Sequence, residues 1–152
     1  MSFPFEIAIP SFNRADIIRE RTIKLLKHHK INPNRIRIFV RDEEMKKEYI
    51  ESIGNEYFYT ITGQNGILAT RNFLRVYYHE DYNQFYKGVL FMDDDIESFG
   101  ELIDNKIQPV EDFEKTLIYM FNTTKDLGFR LFAPSAYNNY FFMKDKISTN
   151  LK

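Results

Sequence analysis

Three consecutive carboxylates, Asp93, Asp94 and Asp95, directly follow the apolar run Val89, Leu90, Phe91, Met92. Four apolar residues after Gly88 read as a buried strand. The triplet then emerges at the strand's C-terminal end, the edge on which open α/β sheets bind their ligands. Crowded carboxylates repel one another, and protonation, basic partners or a divalent cation relieves them. Oxygen donors suit hard ions such as Mg²⁺ or Mn²⁺. The plainer alternative is helix capping, because Asp accepts hydrogen bonds from unpaired N–H groups at a helix start. One aspartate suffices for that. Ser98 and Glu101, spaced as a capping box, also predict a separate short helix just beyond. A metal or nucleotide role is the preferred reading of the triplet.

Arg71 and Asn72 interrupt an otherwise apolar helical pattern that begins at Gly66. A guanidinium placed there reaches water, pairs with a carboxylate or contacts a ligand, and the last two options stay open. His28, His29 and His79 lack metal-ligand spacing and read as surface residues. Lys24, Lys27, His28 and Lys30 cluster near a helix end, where solvation and the helix dipole account for them. Tyr137, Tyr140, Phe141 and Phe142 read as a strand packing into a core.

The elements that must position these groups fit one domain. A chain of 152 residues with 43% hydrophobic content builds a single core. Lys and Arg total 21 against 22 acidic residues, a net charge of −1, so nothing draws the whole molecule toward nucleic acid or an anionic membrane. There is no cysteine, which excludes disulfides, thiolate metal sites and a cysteine nucleophile. No segment approaches the roughly 18 apolar residues of a membrane span and no leader pattern stands at the start, so a soluble cytoplasmic protein is expected, in host cytoplasm if phage-encoded.

Along the chain, residues 5–9 predict a strand, 10–13 a turn, and Ile17, Ile18, Thr22, Leu25 and Leu26 a helix to about His29. Residues 36–40 predict a second strand, 42–51 a surface helix ending near Gly54, and 57–61 a third strand. An amphipathic helix from Ile67 through Tyr77 then leads to the strand at 88–92. Pro109 and Asp112 introduce a further helix that ends near Gly128, followed by strands at 130–133 and 140–143. Strands alternating with helices predict an α/β domain, a mostly parallel sheet with helices on both faces. In such a sheet the turns at 10–14, 41–43, 62–66 and 93–95 converge on one edge. That mixture of acids, arginines and backbone donors suits a nucleotide diphosphate. Neither GxGxxG nor GxxxxGK[ST] occurs, which disfavours dinucleotide and P-loop folds.

The strand leading to Pro10, Ser11, Phe12, Asn13 and Arg14, the helix with Gly66, Ala69, Arg71 and Asn72, and the triplet together resemble the nucleotide-sugar-binding half of a Rossmann-like GT-A glycosyltransferase. Within that class the chain is most similar to the phage and TET/JBP-associated glycosyltransferases, thought to sugar-modify hydroxylated DNA bases. The resemblance implies that Pro10, Ser11, Asn13, Arg14 and Asp42 or Glu43 contact uracil and ribose, and that Arg71 lies near base and phosphates. It places the DxD motif on Asp93 and Asp95. Asp93 would then sit near ribose or metal, Asp95 would be the firmest ligand of Mn²⁺ or Mg²⁺, and Asp94 a supporting middle residue.

The resemblance thus implies metal-dependent transfer of a sugar, expected to be glucose, from a UDP-sugar to an acceptor hydroxyl, with a hydroxylated DNA base as candidate acceptor. A face with Arg35, Arg37 and Arg41 could track DNA phosphates. Glu97 and Asp104 are both candidate general bases. GT-A enzymes usually extend well past the DxD motif and often add a late metal-binding histidine. Here 57 residues, 96–152, follow Asp95, and no histidine follows His79. The expectation is a compact or truncated member of the class. Two alternatives stand beside it: a nucleotide-sugar-binding module without turnover, and another metal-dependent nucleotide enzyme such as a nucleotidyltransferase.

Overall fold

A computed structural model describes residues 5–80, 88–129 and 131–134. The chain forms two compact units, Met1–Glu97 and Ser98–Lys152.

The first unit alternates strand and helix: β1 (Phe5–Pro10), α1 (Ala15–Ile18), a π-helical turn (Arg19–Ile23), α2 (Lys24–His28), a 3₁₀ turn (Pro33–Arg35), β2 (Ile36–Val40), α3 (Glu43–Ile53), β3 (Phe58–Ile61), α4 (Ile67–Glu80) and β4 (Gly88–Phe91). The four strands pair in parallel in the order β3-β2-β1-β4, with Ile7 opposite Ile36 and Leu90, and Arg37 opposite Phe58. The expected parallel α/β architecture is what the chain adopts.

Every residue of β1 is buried, as befits a central parallel strand covered on both faces. Successive side chains point to opposite faces. Ala8 and Phe39 pack with Leu74 of α4, where Phe73, Tyr77, Tyr78 and Val89 close over them. The Phe39 ring meets Tyr77 and Tyr78 edge-on at 5.4 and 5.9 Å. Ile7, Ile9, Ile36 and Ile38 fill the opposite face and are almost wholly excluded from water.

Glu6 lies on the α4 side among these apolar groups. Arg37 Nε donates to its carboxylate at 2.8 Å, Tyr78 donates its hydroxyl to the same oxygen, and Arg37 also donates to Thr60 at 3.2 Å. Arg37 is thereby committed to the sheet interior instead of an open phosphate-tracking face. The Arg41 guanidinium stands 5.1 Å over the Phe12 ring and its Nε pairs with Asp42 at 2.5 Å, while Arg35 stands over Phe5. Asp42 caps α3 by accepting from Met45 N at 2.9 Å, and Gly54 ends that helix at φ 106°, a conformation open to glycine.

In the second unit, β5 (Gly100–Ile103) and β6 (Lys106–Pro109) form an antiparallel hairpin, followed by α5 (Phe113–Asp126). Asp104 and Asn105 both take positive φ, 50° and 59°, as a two-residue hairpin turn of the primed type requires. This hairpin replaces the short helix expected from Ser98 and Glu101. Turn chemistry at Asp104 and Asn105, with cross-strand pairing of Glu101 to Gln108, outweighs a four-residue capping pattern. Asp112 caps α5 through Lys115 N at 2.9 Å, and Phe99 stacks on Phe113 at 4.4 Å. The strand expected at 130–133 is not formed by its described residues, 131–133, which have no regular structure, and the strand expected at 140–143 lies outside the described residues.

Candidate functional site

The strand order carries a consequence for ligand binding. The chain runs outward from β1 through β2 to β3 and then returns to place β4 on the other side of β1. The switch therefore falls between β1 and β4, and the crevice beyond the carboxyl ends of such strands is where open α/β sheets bind ligands. Pro10 ends β1 there and Ser11 follows it. Asp93, Asp94 and Asp95 follow β4. Ser11 N bonds Phe39 O at 3.0 Å and Met92 N bonds Ala8 O at 3.0 Å, so the ladder holds both strand ends up to the site.

A cavity of about 410 Å³ occupies this crevice, lined by Pro10, Ser11, Phe12 and Arg14, by Gly66, Ile67, Thr70 and Arg71, and by the three aspartates. Gly66 takes φ 84° and turns the chain into α4. Thr70 N and its hydroxyl both bond Gly66 O. The first amides of α4 have no preceding turn to bond, and Gly66, Ile67, Thr70 and Arg71 around that helix start line the cavity. A helix start of this kind favours anions.

The three carboxylates have unlike surroundings. Asp94 points inward, its side chain 6% exposed, and takes the Ser11 hydroxyl at 2.5 Å and Arg14 Nη1 at 2.8 Å. Asp93 and Asp95 point outward, 55% and 39% exposed. Arg71 Nη2 holds Asp93 at 3.0 Å and Arg14 Nη2 holds Asp95 at 3.0 Å. Burial pushes the Asp94 carboxyl above its usual value. The Ser11 bond and the Arg14 charge oppose that shift, and repulsion from Asp95 and Asp93 adds to it. The Arg14 guanidinium is raised above its usual value, chiefly by its bond to Asp95.

Behind Asp94 runs a hydrogen-bond chain. Ser11 spends its proton on Asp94, so the Tyr49 hydroxyl 2.7 Å away donates to Ser11, and Arg14 N donates in turn to Tyr49 at 3.0 Å. Burial raises the Tyr49 hydroxyl above its usual value, which keeps that donor protonated. Asp94 is thus the anchor of the loop, and Asp93 and Asp95 face the cavity.

Of the residues named from sequence, Pro10, Ser11, Arg14, Arg71, Asp93, Asp94 and Asp95 line one cavity. Asn13 does not. It is exposed at φ 52°, where it turns the chain from β1 into α1. Asp42 also lies off the lining and serves as the α3 cap. Glu97 pairs with Arg21 at 3.1 Å, and Asp104 sits in the hairpin turn of the second unit. Sequence reasoning passed over Phe12, Thr22, Tyr49 and Thr70. For Thr22 a signal existed, a hydroxyl within an apolar helical stripe, whereas Tyr49 looked like one more apolar residue of its helix. Among the described residues, no three His, Cys, Asp or Glu side chains gather closely enough to cage a metal ion by themselves.

A parallel α/β unit with its carboxylates and arginines at the switch point puts its candidate ligand site in the crevice that open α/β sheets use. The chain belongs to the TET-associated glycosyltransferase family, whose model matches residues 5–148. No curated protein and no solved structure matches it. It is accordingly a glycosyltransferase. No described helix is long and apolar enough to cross a membrane.

Proposed function

We propose that this glycosyltransferase moves a sugar, glucose in the first instance, from a UDP-sugar to an acceptor hydroxyl with Mn²⁺ or Mg²⁺ bound, and that the acceptor is a hydroxylated base in DNA. The observation that carries the donor half is the convergence of Asp93, Asp95, Arg14, Arg71 and the start of α4 on one cavity at the switch point. The DNA acceptor rests on the family resemblance.

The donor set fits a cation that arrives with phosphates. Mg²⁺ characteristically takes one or two carboxylates plus substrate phosphates and keeps several waters. Asp93 and Asp95 are two outward carboxylates of that kind, and Asp94 is committed to Ser11 and Arg14. When bound, the ion neutralises charge that develops on the departing diphosphate. Arg71 and Arg14 stand beside the same oxygens and supply planar donors for phosphate. The first amides of α4 add a fixed positive end to the site. Phe12, backed by the Arg41 guanidinium, offers a flat wall suited to a base.

Calorimetry of UDP-glucose with Mn²⁺ and with EDTA, on the intact chain and on Asp95→Asn, tests the donor half. Metal-dependent binding that disappears in Asp95→Asn is the expected result, and absence of binding by both UDP-glucose and UDP sinks the reading. A hexose mass gain on an oligonucleotide with a hydroxylated base, and none on its unhydroxylated counterpart, tests the acceptor.

A further inference from the structure

The π-helical turn Arg19–Ile23 breaks the regular winding between α1 and α2, and Thr22 within it is fully buried. Turns of this kind are rare and concentrate at functional sites. The Thr22 hydroxyl leaves its own helix. It donates to Asp93 O at 2.9 Å and accepts from Ile96 N at 2.9 Å.

Those two atoms are the first carbonyl and the last amide of the four-residue turn that holds the triplet. In an ordinary β-turn they bond each other directly. Here a side-chain hydroxyl from another element also bonds both atoms and clamps the two ends of the turn. The direction in which Asp93 and Asp95 leave the turn depends on how its two ends are held. Asp94 is tied from within the fold by Ser11 and Arg14, whereas Asp93 and Asp95 point outward to the partly exposed guanidiniums of Arg71 and Arg14, so their aim depends on the turn backbone that carries them.

Burial of a hydroxyl is costly unless its bonds are made. Valine has the same shape, fills an apolar stripe at no such cost and lacks the two bonds. A threonine at this position is therefore explained by the loop it holds and not by core packing. A displacement of about 1 Å at a reacting centre can cost two orders of magnitude in rate, so such support matters.

We infer that Thr22 is a positioning residue of the donor site: its hydroxyl, delivered by the π-helical turn, holds both ends of the triplet turn and thereby sets the aim of Asp93 and Asp95. This inference rests on the proposed metal-dependent binding of a UDP-sugar.

The test compares Thr22→Val, Thr22→Ser and Thr22→Ala by calorimetry with UDP, in Mn²⁺ and in EDTA, alongside thermal melts. The expected result is that Thr22→Val keeps its metal-free affinity for UDP and loses roughly tenfold or more of the Mn²⁺-dependent gain, while Thr22→Ser stays within about threefold of the parent. Should Thr22→Val fail to fold, Thr22→Ser against Thr22→Ala decides, since both lack the methyl and only the serine keeps the hydroxyl. Equal Mn²⁺-dependent gains in the hydroxyl and non-hydroxyl variants overturn the role of Thr22 and leave the donor reading intact. A parent chain that binds no UDP overturns both.

Discussion

The Ser11 hydroxyl bonds Asp94 Oδ2 at 2.5 Å across 83 residues of sequence, and through it the end of β1 grips the loop after β4. The same oxygen accepts from Tyr49 of α3. Removing it in Ser11→Ala leaves a buried carboxylate short of a donor and a tyrosine short of an acceptor. Loss of one partner of a buried polar group costs about 1–3 kcal/mol. Urea unfolding should show a fall of that size, and a change under about 0.5 kcal/mol, the range of neutral surface substitutions, would contradict the anchoring role.

Asp94 carries a second expectation, in pH. Its folded value is raised above the usual 3.8, chiefly by burial. The folded protein therefore holds this proton to higher pH than the unfolded chain, and between the two values folding binds the proton. Stability from this group is full below the unfolded value and declines as pH rises through the folded one. Melting temperatures of the parent and Asp94→Asn, followed from pH 3 upward, should differ in the parent's favour by an amount that shrinks with rising pH. A gap that widens over the same range would reverse the sign assigned here.

Much of this arrangement was legible in the chain. Alternating apolar runs gave β1, β2, β4, α3 and α5 to within a residue or two, and the start of α4, because buried parallel strands and amphipathic helices write their burial into local sequence. Placement of the triplet at a strand end followed from Val89, Leu90, Phe91 and Met92 alone. What stayed hidden depended on distant partners. Ser98 and Glu101 look like a capping box until Gly100 and Ile103 find Pro109 and Lys106 across a hairpin. Which aspartate turns inward is decided by Ser11 and Arg14, and the value of Thr22 by Asp93 and Ile96, each more than 70 residues away.

The arginine pairs of the outward carboxylates predict coupling between cation and nucleotide. Arg71 neutralises Asp93 and Arg14 neutralises Asp95, so a cation that takes either carboxylate must compete with a guanidinium. A diphosphate relieves that competition by accepting the displaced guanidinium. On the proposed function, UDP should therefore tighten Mn²⁺ binding and Mn²⁺ should tighten UDP binding by the same factor, as linkage demands. Arg71→Gln should tighten Mn²⁺ binding measured alone and weaken binding of UDP in EDTA. Titrations in which the two ligands bind independently, or in which both affinities move together in Arg71→Gln, would contradict this exchange.

The pair beneath α4 makes the last prediction. Glu6 is 2% exposed and shares its carboxylate between Arg37 and Tyr78, and burial followed by the Glu6 bond raises the Tyr78 hydroxyl, which keeps it a donor. Arg37 also lies 4.9 Å from the Phe58 ring and 5.8 Å from Tyr77, so its flat guanidinium fills the space between β2 and α4 as well as carrying charge. Losing one member of a buried pair strands the other charge and costs about 3–5 kcal/mol, whereas replacing both with apolar groups of similar volume is often neutral or stabilising. Arg37→Met alone should therefore lower unfolding free energy by several kcal/mol. Glu6→Leu combined with Arg37→Met should recover most of that loss, a non-additive result that a double-mutant cycle reads directly. Additive losses in the double variant would mean that the two side chains contribute separately, and the network would then be a coincidence of packing.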